Sequence, residues 1–216
     1  LIPTTLPLIG FCGSPWTLAA YSIEGSGSKD FKKTKTFMAD NPNALHDFLE
    51  ILSDACYQYL KQQVLSGVNA IQIFDSWADL LSENELDLFS LRYTKKITQK
   101  LKNDPVTEHI PIILFEKNPK KNITDIVFKS LSCISLHWNS DIRILSESLK
   151  NDIAIQGNLD PRVLTKSDEI IQEEVRKICS IMKNYPGFIF NLGHGITPDI
   201  KPSKVEVMIK AIREDM

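Results

Sequence analysis

Six short apolar runs, each followed by a longer stretch of helical periodicity, constrain this chain more than any other feature of its sequence. The runs are Leu6 to Phe11, Ala70 to Phe74, Ile110 to Phe115, Cys133 to His137, Ile153 to Gly157 and Phe188 to Leu192. Each is nearly continuous in hydrophobic residues, the pattern of parallel strands covered on both faces. The longest intervening segment, Asn43 to Ser66, carries Leu45, Phe48, Leu49, Leu52, Cys56, Tyr59 and Leu60 as an apolar helical stripe, with Gly67 as its stop. Further helices are expected over Glu83 to Lys102, Asp141 to Leu149, Ser167 to Lys183 and Ser203 to Arg213. Strand–helix alternation of this kind builds a parallel sheet with right-handed crossovers. Two architectures satisfy it, an open doubly wound sheet and a (β/α)8 barrel. No G-x-G-x-x-G or P-loop follows any run. A closed barrel needs eight strands in typically ~250 residues, so six runs are two short.

Composition narrows the class. With 43% hydrophobic and 24% charged residues, the 216-residue chain has ample apolar material for a globular core and is not disordered. The net charge of −2 offers no basic excess for nucleic acid. No apolar run approaches the ~20 residues of a membrane helix. The four cysteines, Cys12, Cys56, Cys133 and Cys179, form no C-x-x-C pair and read as reduced thiols, as in a cytoplasmic protein. No linker or internal repeat divides the sequence, and residues 1–216 read as one domain. The start, Leu-Ile-Pro-Thr-Thr-Leu-Pro, has no initiator Met, charged n-region or cleavage signature, and reads as the middle of something longer.

Barrel enzymes place their chemistry where strands end and βα loops begin. Four strand ends here are dense in glycine, polar and aromatic residues. They are Pro-Leu-Ile-Gly-Phe-Cys-Gly-Ser-Pro-Trp-Thr with the following Glu-Gly-Ser-Gly-Ser-Lys, then Gln-Ile-Phe-Asp-Ser-Trp, Gln-Gly-Asn-Leu-Asp-Pro and Asn-Leu-Gly-His-Gly-Ile. Together, in this order and spacing, they resemble the uroporphyrinogen decarboxylase family of haem biosynthesis across nearly the whole chain. The resemblance implies an α/β fold, a (β/α)8 TIM barrel, here incomplete with about six βα units. The family's two upstream units, with an Arg-x-x-x-Arg and a Phe-Ser-Asp segment, have no counterpart in these residues. The sequence therefore reads as a C-terminal portion.

The implied reaction removes four acetate carboxyls of a cyclic tetrapyrrole as CO₂, giving coproporphyrinogen, without metal or organic cofactor, in a cytoplasmic homodimer. Carried over residue by residue, Tyr21 matches the active-site tyrosine and His194 the histidine near a propionate or acetate group. Ser76 matches a serine that contacts a substrate side chain, and Phe11 an aromatic residue lining the cleft. Tyr21 and His194 are the catalytic candidates; Tyr21, Ser76, His194 and Phe11 are the substrate-binding ones. Asp75 precedes Ser76 by one position and, by strand alternation, faces away from the ligand. The glycines beside His194 suit close approach of a bulky macrocycle.

Two departures stand out. Glu116-Lys117-Asn118-Pro119-Lys120-Lys121-Asn122 replaces the family's small glycine-containing segment, and Leu136-His137-Trp138 replaces its Leu-Asp-Trp. Lys29, Lys32, Lys33 and Lys35 read as a solvated helix face rather than a polyanion site. Among the other readings, a cobamide-dependent methyltransferase on a related barrel would need a His-x-Cys zinc pair that the sequence lacks. A non-catalytic barrel fragment serving as an interaction module is the third. Because the family's clamp arginines and charge-stabilising Asp lie in the unmatched segments, these 216 residues incubated alone with the tetrapyrrole are expected to release no CO₂; measurable turnover would contradict this.

Overall fold

A computed structural model describes residues 3, 6–28, 30–119, 121–149 and 152–215. They fall into two compact units, one ending at Ser132 and one beginning at Cys133. Of the lysine run singled out in the sequence, Lys29 lies outside the described residues, as does Lys120.

The first unit holds strands β1 (Ile9–Gly13), β2 (Ala70–Asp75) and β3 (Ile112–Glu116), paired in parallel in that order. Its register pairs Phe11 with Gln72 and Asp75 with Glu116. Helix α1 (Pro15–Glu24) begins at once after β1. The Ser14 hydroxyl accepts the Thr17 N–H at 3.0 Å and Pro15 occupies the first turn, a standard start signal. It ends at Gly25, whose φ of 84° is the left-handed stop that favours glycine. Helix α2 (Lys32–Asp40) follows, with Lys32, Lys33 and Lys35 exposed and Thr34 and Met38 buried, so the lysines form the solvated face expected.

Helix α3 (Pro42–Leu65) buries Leu45, Leu49, Ser53, Cys56, Leu60 and Val64. Of the stripe read from sequence, Leu45, Leu49, Cys56 and Leu60 are buried and Phe48 and Leu52 half-buried. Tyr59 is exposed, and Ser53 takes a buried place by donating its hydroxyl to the Leu49 carbonyl at 2.7 Å. A second device belongs to the same helix. The Gln63 amide brackets Phe11 on β1, accepting its N–H at 2.8 Å and donating to its carbonyl at 2.9 Å. Both groups point away from β2, so a side chain supplies the ladder bonds at that edge.

After β2 the chain runs through the short helix α4 (Glu83–Glu85) and α5 (Arg92–Asn103). The sequence pattern reads as one helix from Glu83 to Lys102, but Leu86–Leu91 forms a widened π turn between them. That turn carries Ser90 inward, and no periodicity argument signals it. A short α6 (Ile123–Ile126) follows β3.

The second unit repeats the plan with β4 (Cys133–Leu136), α7 (Ile142–Leu149), β5 (Ala154–Leu159), α8 (Asp168–Met182), β6 (Phe188–Leu192) and α9 (Pro202–Asp215). Strands β4, β5 and β6 pair in parallel. Its core is Leu159, Leu164, Ile171, Val175, Cys179, Ile200, Met208 and Ala211, with Phe190 and Leu192 packed against it. Leu159, Phe190 and Leu192 thus define the helix-covered face of β5 and β6, and the alternate residues Gln156, Asn158, Ile189 and Asn191 face the other way. Among the described residues the four cysteines are buried free thiols. No described helix is long and apolar enough to cross a membrane. Leu164 is fully buried in the core of the second unit. Leu164→Ala is expected to cost about 2–5 kcal/mol, read as a lower midpoint in chemical denaturation with an unchanged slope.

Candidate active site

In the first unit, the residues singled out from the sequence gather at the C-terminal ends of β1 and β2. Phe11 stands on the face of β1 opposite α3, 61% exposed, with its ring edge-on to Phe74 at 5.9 Å. Phe74 in turn meets Phe115 of β3 at 5.8 Å, so three strands present a continuous aromatic row on one face. Tyr21 lies on α1, 41% exposed, and its ring packs edge-on against Trp77 at 5.7 Å and Phe31 at 6.0 Å. The aromatic ring is held by packing, and among the described residues the phenol oxygen has no hydrogen bond, which leaves it available to a ligand.

Ser76 follows β2 directly. Its backbone N–H donates to the Thr17 hydroxyl at 2.9 Å, and that hydroxyl donates to Asp75 Oδ1 at 2.9 Å. Ser90 donates to the other oxygen, Asp75 Oδ2. Asp75 has no exposure and points toward α1 and the π turn, the opposite face from Ser76, as strand alternation requires. Burial raises its pKa, opposed by hydrogen bonds from Ser90, Thr17, Ser14 and the Trp77 N–H. Beside it on β3, Glu116 is buried and pushed well above the ordinary carboxylate range, by burial first and the Asp75 charge second.

The departure after β3 has a second consequence. Lys117 Nζ lies 4.5 Å over the Trp77 ring and 3.2 Å from Asp79. It pins the indole that supports Tyr21. Thr17, Ser90, Glu116 and Lys117 were not legible as site residues in the sequence. Thr17 closes the first quoted motif, and Glu116 and Lys117 stand in the segment that departs from the family pattern, whereas Ser90 carried no signal.

The second unit carries His194. It is exposed after β6 and stands edge-on to His137, 6.1 Å between centroids, at the end of β4. His137 is buried against Trp138, ring centroids 5.0 Å apart. Its carbonyl accepts the Asn158 side-chain amide at 3.0 Å, and the same amide reaches the Ser140 carbonyl at 2.8 Å. The Arg162 guanidinium lies 4.1 Å over Trp138 and pairs with Asp160 at 2.6 Å. Hydrogen bonds and the charge of Arg162 hold the Asp160 carboxyl below its usual range against the opposing effect of burial.

The two glycines that flank His194 stand in different surroundings. A Cβ on Gly193 would fall 2.3 Å from the Trp138 backbone N and 2.6 Å from its Cα, so this glycine exists to let the end of β6 meet Trp138. A Cβ on Gly195 would meet nothing within 4 Å. Among the described residues no three of His, Cys, Asp and Glu converge in a group that could hold a metal ion.

This arrangement of parallel strands, helices on one face and polar or aromatic side chains at the strand ends defines an α/β protein of the barrel type with six βα units among the described residues. A methyltransferase from Methanosarcina mazei shares the fold with a TM-score of 0.80 at 18% identity, over 99% of this chain and 60% of its own. A B12-independent methionine synthase from Shewanella shares it less closely, at a TM-score of 0.62 and 15% identity, over 98% of this chain and 62% of its own. The family model for uroporphyrinogen decarboxylase matches residues 2–215. A curated uroporphyrinogen decarboxylase from Vesicomyosocius okutanii is 42% identical over 207 residues, 96% of this chain. Those from Magnetococcus marinus and Pseudomonas putida are 40% and 42% identical over 97% of it. The chain belongs to the uroporphyrinogen decarboxylase family. It spans 59% of the length of these relatives.

Gly193→Ala forces a methyl group into the Trp138 backbone. It is expected to cost about 1–3 kcal/mol of stability and to shift the His194 ring resonances, measured by thermal unfolding and by NMR of the histidine side chains.

Proposed function

We propose that the protein is a cofactor-free decarboxylase that converts uroporphyrinogen to coproporphyrinogen by removing its four acetate carboxyls. The observation that carries this reading is membership of the family over residues 2–215, with Tyr21, Ser76 and His194 each at a strand end or the helix that follows it. In each round the bond between the acetate methylene and its carboxylate breaks. The pair of electrons left behind flows into a pyrrole ring protonated at carbon. A proton then arrives at the exocyclic carbon, making a methyl group, and the ring proton leaves. Each round therefore consumes one proton and releases one CO₂.

The chain's own residues answer specific needs of that sequence. Phe11, continued by Phe74, offers an apolar surface to the pyrrole rings of the macrocycle. The Tyr21 phenol donates to a substrate carboxylate or to the carboxylate that faces the ring nitrogens. Ser76 donates its hydroxyl to a substrate side chain, and His194 meets a propionate or acetate group. These contacts orient the reacting acetate and favour the charge distribution of the transition state rather than the free carboxylate. We further propose a cytoplasmic homodimer as the working form.

Tyr21→Phe and His194→Asn in the whole protein are expected to lower kcat/KM about 10- to 100-fold, that is by about 1.4–2.8 kcal/mol of transition-state stabilisation. Circular dichroism should show both variants folded. Unchanged kinetics in both would remove these side chains from the site, and absence of coproporphyrinogen formation by the unaltered whole protein would remove the function itself.

A further inference from the structure

Two carboxyl groups are sealed on the helix-covered side of the β2–β3 pair. Asp75 and Glu116 are register partners on neighbouring parallel strands, so their side chains leave the sheet on one face with backbones about 4.8 Å apart. Both are shut off from water, at 0% and 1% exposure. Donors are shared unequally between them. Asp75 accepts from Thr17 and Ser90, whereas among the described residues neither oxygen of Glu116 has a hydrogen-bond partner. A second negative charge there would meet the full cost of desolvation and the repulsion of Asp75.

The surroundings do not relieve it. Helix α1 and the π turn face the pair with the hydroxyls of Ser14, Thr17 and Ser90, which serve Asp75. Asp75 is the charged group that acts on Glu116, and it acts to disfavour ionisation. On the flanking turns, Lys117 is engaged by Asp79 and by the Trp77 ring.

We propose that Glu116 is a positioning residue that forms an acid pair with Asp75, the single proton held on Glu116 and the single charge on Asp75, so that Asp75 turns the Thr17 hydroxyl to receive the Ser76 amide. A carboxylate at position 75 can only accept, and this compels Thr17 to donate to it and to present a lone pair to the Ser76 N–H. A proton on Asp75 would remove that compulsion, and a charge on Glu116 would strain the pair. Glu116 thus settles which of the two carboxyls carries the charge. Its bearing on turnover rests on the reading of Ser76 as a substrate contact; the acid pair itself does not.

The test is spectroscopic and uses the chain with carboxyl-labelled glutamate. Infrared difference spectra at neutral pH are expected to show the carbonyl stretch of one protonated glutamic acid, lost in Glu116→Gln. The amide signal of Ser76 in nitrogen-15 NMR is expected to shift with pH above the ordinary carboxylate range, and to stay flat over that range in Glu116→Gln. A neutral-pH spectrum of the unaltered protein without a protonated glutamic acid overturns the proposal whether or not the variant folds. So does a Ser76 titration that persists in Glu116→Gln. If both signatures appear and Ser76→Ala still binds uroporphyrin with unchanged affinity, the acid pair stands and the substrate role of Ser76 falls.

Discussion

The buried carboxylate of Asp75 ties together the pieces on which the first unit's strand ends depend. It receives a hydroxyl from Thr17 on α1 and another from Ser90 on the π turn. Thr17 in turn receives the Ser76 amide. One anion thereby fixes the end of β2, the first turn of α1 and the turn that precedes α5. An isolated carboxylate at this depth would be prohibitively costly, and the converging donors make it tenable. Because α1 also carries Tyr21, two candidate site residues, Tyr21 and Ser76, share a single electrostatic anchor on the helix-covered face.

The second unit solves the same problem with different chemistry. Its strand ends are fixed by one amide, Asn158, which donates to two backbone carbonyls, and by close packing of Gly193 on Trp138. Charge lies further out, in Arg162 stacked on Trp138 and paired with Asp160. His137 sits inside this frame, a buried imidazole beside Trp138 and His194.

Much of the scaffold was legible because its signals are local. Continuous apolar runs placed all six strands to within three residues of their observed limits. The α3 stripe included the exposed Tyr59 and omitted Val64 and Ser53, the latter a polar residue that satisfies itself on its own helix and so costs little to bury. The break of the Glu83 to Lys102 segment into α4, the π turn and α5 has no counterpart in its sequence pattern. The widened turn is defined by its i→i+5 backbone hydrogen bonds, and its apolar residues Leu86, Leu88, Phe89 and Leu91 lie too close together for a shift in the stripe to be read. Tyr21, Ser76, His194 and Phe11 are candidates by motif, and the direction of Asp75, opposite to Ser76, follows from strand alternation.

The order of strands and helices, the absence of a nucleotide-binding turn, and the family were all determined by the linear sequence, since each rests on residues near one another in the chain. The partners of Asp75 and the isolation of Glu116 were decided by tertiary structure. Thr17, Asp75, Ser90 and Glu116 lie on four separate elements and meet only once the helices have packed against the strands. Whether a buried carboxyl is paired or orphaned, charged or neutral, depends on which donors arrive from distant segments, and no spacing in the sequence records that.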